Sequence, residues 1–274
     1  MENAAQLAQE AEFFDRWAEK SQKTLATIDP EVVERYRHSR KIFPKEFCIN
    51  LLGDLRGKRI LDVGCGEGED AVLLAKLGAT VTGLDLSPGA IGVARQRAAL
   101  NGVAGQVSFI CAPLTSARLP PGSFDVVWID NLLHHVLDEL DVVLRTLLAS
   151  AKPGATLLCI EPVNLNRTLR KIRFLVPVHT EVTPGERPLE KRHLQVIENL
   201  VSGLGRRHFL FLGRLMRFII PGYRYERAPW ARRRLADAVS FLDRVWSCPC
   251  RFSSRWEASP SSAARSPRAG RTMF

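Results

Sequence analysis

From residue 57 onward, short, largely apolar runs alternate with longer stretches in which apolar positions recur every three to four residues. The runs cover 59–63, 80–84, 106–111, 124–129 and 155–160, and the helical patterns cover 69–77, 89–101 and 137–151. Runs such as Phe124 to Ile129, apolar but for Asp125, and Ala155 to Ile160 read as strands covered on both faces, the mark of a parallel sheet. Strands alternating with helices predict right-handed βαβ units. The expected fold is α/β, a Rossmann-like doubly wound, mostly parallel sheet. Punctuation agrees: Ser87-Pro88 offers a helix cap and first turn, Gly78 and Gly102 end helices, and Pro120-Pro121-Gly122 and Lys152-Pro153-Gly154 read as turns.

Residues 1–56 read as two or three helices placed before the first core strand. Phe13, Phe14, Trp17 and Ala18 form one apolar stripe, and a second helix follows Asp29-Pro30 over 31–42. These helices are expected to form an N-terminal cover on the larger unit over 57–246. Past Pro162, residues 163–189 are too rich in Pro, Arg and Thr for a regular element, as in binding loops. A helix is expected over 190–203, a strand running into a short helix over 206–220, and another helix over 232–246. In 206–220, Arg214 and Arg217 stand among aromatic and aliphatic residues, which suits a core edge, an apolar pocket or weak attachment to an anionic membrane. Residues 247–274 are dominated by Ser, Arg, Pro and Ala and are expected to stay disordered.

The chemistry concentrates in Ile60 to Asp70, ILDVGCGEGED. A strand runs into Gly64, Gly66 and Gly68, and a helix starts at once. Glycines there let a ligand approach the backbone. A dinucleotide fingerprint would need its third glycine where Glu69 stands. Glu67, Glu69 and Asp70 crowd the loop with carboxylates and no lysine is present, which excludes a P-loop and disfavours a pyrophosphate. A cationic or zwitterionic ligand fits better. At the end of the second strand Asp85 occupies the acidic position that accepts ribose hydroxyls in nucleotide folds.

The 274 residues are 46% hydrophobic and 25% charged, ordinary for a globular chain. The N-terminus has no basic region followed by an apolar one, and no apolar run reaches a membrane-spanning length, so a cytoplasmic location is expected. Six cysteines show neither a C-x-x-C pair nor zinc spacing. Charge is lopsided: residues 1–162 carry 17 Lys and Arg against 21 Asp and Glu, whereas residues 163–274 carry 22 against 8. Such a basic half suits nucleic acid, an acidic membrane or a phosphorylated substrate, or is simply a solvated surface.

In order and spacing, LDVGCGEG, VTGLDLSPGAIGVAR, FDVVWIDNLLHHV and AKPGATLLCIEP resemble the class I S-adenosylmethionine-dependent methyltransferases, in the small-molecule branch similar to quinone-biosynthesis methyltransferases. The resemblance implies S-adenosylmethionine as cofactor, with Gly64, Cys65, Gly66 and Gly68 admitting it. Asp62 and Glu67 would balance its positive end, and Asp85 with Leu86 would hold its ribose. Many relatives place an acid beside the adenine where this chain has Ala112 and Pro113. Asn131 would lie near the methionine end, and Tyr36 and Arg40, spaced i, i+4, are the lid residues expected to reach it. His134, His135 and Glu161 are the candidate proton acceptors, with His179 a further one. The expected acceptor is a small apolar or aromatic molecule. A nucleic-acid methyltransferase is an alternative, but Asp130-Asn131-Leu132-Leu133 lacks the prolines and aromatic that would stack a flipped base. A cofactor-binding protein without catalysis is the other.

Overall fold

The computed structural model describes residues 2–38, 44–163, 187–201, 204–205, 216–220, 225, 227–246 and 271–273. Three helices come first: α1 (Glu2–Gln22), α2 (Pro30–Arg37) and α3 (Pro44–Leu52). Then follow β1 (Arg59–Val63), α4 (Glu69–Lys76), β2 (Thr80–Asp85), α5 (Pro88–Leu100), β3 (Val107–Cys111) and β4 (Phe124–Asp130). Two single 3-10 turns, Leu133–His135 and Leu137–Glu139, lead into α6 (Leu140–Ser150) and β5 (Ala151–Ile160). After these come α7 (Lys191–Leu200), β6 (Leu204–Gly205), α8 (Met216–Ile219), α9 (Trp230–Trp246) and β7 (Arg271–Met273).

The sheet order is β3-β2-β1-β4-β5-β7-β6, and every described pairing is parallel. Strand order reverses between β1 and β4, so the carboxyl ends of those two strands border the crevice where such sheets take ligands. Alternation along each strand sorts side chains to two layers. Leu61, Val63, Val127 and Ile129 join the cluster that α6 and α7 cover. Ile60, Val126 and Trp128 join the cluster under α3 and α4. Each of these side chains is essentially fully buried, which contributes about 1.5–3 kcal/mol apiece. By the same alternation, Asp62 and Asp130 fall on the α3–α4 side, at the edge of the crevice.

The expected caps form. Ser87 Oγ accepts from Ala90 N at 2.9 Å with Pro88 as the first helical residue, and Asp29 Oδ1 accepts from Glu31 N at 2.9 Å. Three boundaries are corrected. The helix expected from 137 starts at Leu140, because the chain first makes the two 3-10 turns. Lys152-Pro153-Gly154, read as a turn, is a bulge inside β5. Phe124 pairs with Ala151 and Val126 with Thr156, so the extra residues loop out between two registers. Finally, 271–273, in a tail expected to stay outside the fold, forms β7 parallel to β5. A free strand edge binds extended backbone whatever its side chains. The tail's remaining residues, most of 163–189 and 206–215 lie outside the described residues, as does His179. Among the described residues no helix is long and apolar enough to cross a membrane.

Candidate active site at the carboxyl edge of the sheet

The glycine loop is locked by β2. Gly64 N and Cys65 N both donate to Leu84 O, at 2.8 and 3.1 Å, and Gly68 N donates to Cys65 O at 2.8 Å. Gly66 N donates to Asp85 Oδ2 at 2.8 Å, and Ser87 N to Asp85 Oδ1 at 2.9 Å. These N–H groups are therefore already spent within the protein. With these groups turned inward, the loop presents a glycine surface with a carboxylate at its rim. Burial raises the Asp85 pKa, while the N–H groups of Ser87 and Gly66 oppose that shift.

Above the loop lies a cavity with about 760 Å³ of empty space, the opening at its mouth included. Gly64, Gly66 and Asp85 form one wall, and Leu86, Ala112, Pro113, Leu114 and Thr115 form an apolar slot beside it. Asn131, Leu132, His135, Val136 and Glu139 form the opposite side, and Leu7, Glu10 and Phe14 of α1 close the top. Gly64 has φ +68°, and a Cβ there would stand 2.7 Å from Leu132 Cδ1. Gly66 has φ +49° and open space where its Cβ would be. Asn131 is the only non-glycine with positive φ among the described residues, at +56°. Asn tolerates this conformation. It turns the chain out of β4, with Asn131 N donating to Ile160 O at 2.9 Å.

The turn after β4 is held from beneath by Glu161, whose side chain is fully buried. Its Oε1 accepts from Leu132 N at 2.8 Å and Leu133 N at 2.7 Å, and its Oε2 lies 2.8 Å from His134 Nδ1. His134 is thus turned into the protein, and neither it nor Glu161 lines the cavity. The adjacent His135 does line it. Its ring centroid lies 4.2 Å from that of His134 and 5.9 Å from that of Phe14, and its Nδ1 lies 3.9 Å from Glu10 Oε1. Of three neighbouring candidates, one histidine faces the cavity and the other two groups shape the turn that presents it.

Other expected residues fall into place less directly. Gly64, Gly66, Asp85, Leu86, Ala112, Pro113 and Asn131 line the cavity as expected. Gly68 does not; at φ +75° it opens α4, where a Cβ would meet Ala94 Cβ at 2.8 Å, so its role is packing. Cys65 is buried behind the loop, which pushes its thiol well above the ordinary range. Glu67 is held by Arg97, whose Nε donates to Glu67 O at 2.9 Å and whose guanidinium lies 3.2 Å from Oε2. Tyr36 packs against the cluster on the far layer, under the Arg35 guanidinium at 4.9 Å, and does not reach the cavity. Arg40 lies outside the described residues.

A polar cluster that the sequence reading had not assembled sits beneath the crevice. Lys45 of α3 places Nζ 2.5 Å from Asp70 Oδ1 and 3.1 Å from Asp130 Oδ2, and Trp128 Nε1 donates to Asp70 Oδ2 at 3.0 Å. Burial works against the Lys45 charge, but Asp70 and Asp130 outweigh it and raise the ammonium pKa. Burial, aided by Asp70, pushes Asp62 well above the usual carboxylate range, and Asp62 Oδ2 has no hydrogen-bond partner among the described residues. Asp70 and Asp130 hold the Lys45 ammonium between them, and Asp62, Asp70 and Asp130 are not among the residues that line the cavity.

α1 is fastened across the site. Asp15 Oδ1 accepts from Ser87 Oγ at 2.5 Å and from Gly89 N at 2.8 Å at the start of α5. Ser87 also donates its N–H to Asp85, so one residue joins the lid to the carboxylate at the loop.

These features fit an adenosyl sulfonium. The glycine surface with Asp85 suits a ribose and the apolar slot a flat base, and Glu10 and Glu139 put carboxyl groups on the remaining lining. The comparisons agree. A family model described as "Methyltransferase domain" matches residues 61–159. A ubiquinone biosynthesis O-methyltransferase from Xanthomonas campestris pv. campestris is 31% identical over 259 residues, covering 92% of this chain and 90% of the relative. One from Bordetella avium is 36% identical over 127 residues, 46% of this chain and 52% of the relative, so the chain spans about half the length of that protein. A solved S-adenosylmethionine-dependent methyltransferase from Mesorhizobium loti is 30% identical with a TM-score of 0.37, covering 41% of this chain and 50% of that one, a likeness too partial to add weight. With a relative matched over nine-tenths of its length, a glycine loop closed against β2 and a cavity suited to S-adenosylmethionine, the chain belongs to the class I S-adenosylmethionine-dependent methyltransferase family.

Proposed function

We propose that this protein methylates a hydroxyl group on a small apolar or aromatic molecule. The observation that carries this reading is the cavity itself, in which a cofactor wall of Gly64, Gly66 and Asp85 faces His135 across an apolar floor under α1. The relatives' description as O-methyltransferases supports a hydroxyl as the acceptor group. The enclosed, largely apolar lining favours a small acceptor, and nothing in it or in the relatives supports the nucleic-acid alternative.

When bound, the cofactor supplies a methyl group already activated by its sulfonium. The chain's own task is then to hold, orient and dehydrate. Asp85 would accept the ribose hydroxyls, and Leu86, Ala112, Pro113 and Leu114 would sandwich the base. Leu132, Val136 and Phe14 would press the acceptor into a near-attack arrangement and exclude water, the dominant contribution in a reaction of this kind. His135 would take the proton from the acceptor hydroxyl. An imidazole titrates near neutrality, and the Glu10 carboxylate at 3.9 Å would stabilise the imidazolium that forms. Glu161 and His134 would hold the turn that aims it.

The test is methyl transfer from radiolabelled S-adenosylmethionine to a panel of phenols, catechols, amines and thiols. Label on the hydroxyl acceptors, lost in His135→Asn while cofactor affinity is kept, is the expected result. Transfer only to nitrogen or sulfur, or full activity in His135→Asn, would overturn the acceptor assignment or the proton acceptor respectively.

A further inference from the structure

We propose that Lys45 is a positioning residue which, through Asp130, holds the Asn131 side-chain amide so that its carbonyl oxygen is offered to the bound cofactor. Lys45 stands in the first turn of α3, at the positive end of the helix, where a cation is disfavoured. Its own helix gives no reason for it, and its side chain is largely buried rather than solvated. The reason lies in its partners. Asp70 and Asp130 each give one oxygen to the Lys45 ammonium, at 2.5 and 3.1 Å, and the other oxygen to a side chain of β4 or of the turn that follows it. Asp70 Oδ2 accepts from Trp128 Nε1 at 3.0 Å, and Asp130 Oδ1 accepts from Asn131 Nδ2 at 2.8 Å.

An ionised carboxylate can only accept hydrogen bonds, so the end of the Asn131 amide that meets Asp130 is the NH2 group. The ammonium beside Asp130 favours that ionised form. Without it, a protonated Asp130 could donate as well as accept, and the amide could present either end. Asn131 lines the cavity, and among the described residues nothing bonds its Oδ1. Its backbone is fixed too, by a φ of +56° and by Asn131 N donating to Ile160 O at 2.9 Å. This wall shows the cavity a hydrogen-bond acceptor, fit for an ammonium, hydroxyl or amino group of the cofactor. Lys45, which does not itself line the cavity, sets that polarity.

This role requires S-adenosylmethionine in the cavity, as the proposed function does, but no particular methyl acceptor. It is therefore tested with S-adenosylhomocysteine and no acceptor present, so that its failure is separate from that of the hydroxyl assignment. The experiment is a double-mutant cycle read by calorimetric titration of the full chain near neutral pH. Asn131→Gly removes the amide and keeps the positive φ, which glycine accepts; it should bind about tenfold more weakly, the loss of one hydrogen bond to the ligand. Lys45→Met removes the charge at similar length and should bind severalfold more weakly. The double variant should bind as Asn131→Gly does alone, because the lysine has nothing left to orient. A lysine that merely fastened α3 would lower the thermal midpoint in Lys45→Met and leave the affinity of the folded protein unchanged. Asp130→Asn, whose amide can offer either end to Asn131, should also weaken binding. If Lys45→Met does not fold, Asp130→Asn alone and combined with Asn131→Gly gives the same comparison. Unchanged affinity in folded Lys45→Met or in Asn131→Gly, losses that multiply in the double variant, or no binding to a folded wild type would overturn the proposal.

Discussion

Replacing Asp15 with Ala should loosen α1 from the cavity it covers. One carboxylate oxygen receives both Ser87 Oγ at 2.5 Å and Gly89 N at 2.8 Å, at the positive end of α5. Hydrogen bonds to a charged acceptor are worth roughly 1.5–3 kcal/mol each when buried, and a carboxylate at a helix N-terminus adds about 0.3–1 kcal/mol. Asp15 is only half-buried and water replaces part of what is lost. A net loss of about 2 kcal/mol is therefore expected, a factor of roughly 30 in the opening equilibrium of the helix. Gln22 to Gln96 at 3.3 Å and Ile28 N to Asn101 Oδ1 at 2.8 Å still tie the segment down, so the effect stays local. Amide hydrogen exchange should show residues 7–20 deprotected by about that factor in Asp15→Ala and by less in Asp15→Asn, with β1 and β4 unaffected. Since Leu7, Glu10 and Phe14 are cavity walls, affinity for S-adenosylmethionine should fall in parallel. Unchanged exchange in α1, or faster exchange throughout the sheet, would refute the latch.

Further outcomes follow from the same geometry. Gly64→Ala meets both a positive φ, costing about 1–2 kcal/mol, and Leu132 Cδ1 at 2.7 Å; it should drive Leu132 into the cavity and abolish cofactor binding, read by calorimetry. Burial, with Asp70 alongside, lifts the Asp130 carboxyl to about 6 despite Lys45. A carboxyl whose folded pKa exceeds its unfolded value stabilises the fold at low pH and loses that contribution as pH rises through the folded value. Between about pH 4 and 6 the wild type should therefore lose roughly 2–3 kcal/mol that Asp130→Asn does not, measured by urea unfolding across that range. Trp128→Phe removes the donor to Asp70 and core volume together, and should cost about 2–4 kcal/mol in the same assay. In His135→Asn, kcat should fall about 10²–10⁴-fold with little change in KM, whereas an equal effect on both would point to positioning alone.

The sheet was legible because its central strands are largely buried on both faces, so β4 appears as FDVVWI, apolar but for Asp125, and because glycine and proline punctuate the connections. The loop and Asp85 were legible for the same local reason. What local pattern could not supply was direction. His134 and His135 are adjacent and chemically identical, and the Glu161 carboxylate, 27 residues from His134 along the chain, holds the first turned inward. Tyr36 carried the right chemistry on a helix of the lid, yet α2 packs on the layer opposite the cavity. The Phe13–Phe14–Trp17 stripe held the better signal, since Phe14 faces the cavity and Asp15 beside it fastens the helix. The Lys45 cluster was hidden because its members come from α3, α4 and β4, brought together by strand alternation rather than by sequence spacing. The bulge in β5 was missed because Pro-Gly most often signals a turn, whereas here it loops out between two registers of the β4 pairing.

S-adenosylmethionine is expected to bind at the crevice between β1 and β4 with its ribose on Asp85. Calorimetric titration of the full chain with S-adenosylmethionine and S-adenosylhomocysteine, beside Asp85→Ala, tests it most directly. Saturable one-to-one binding of both ligands to the wild type, lost in a variant that still unfolds cooperatively, is the predicted result. Undiminished binding in the variant, or none to a folded wild type, would contradict it.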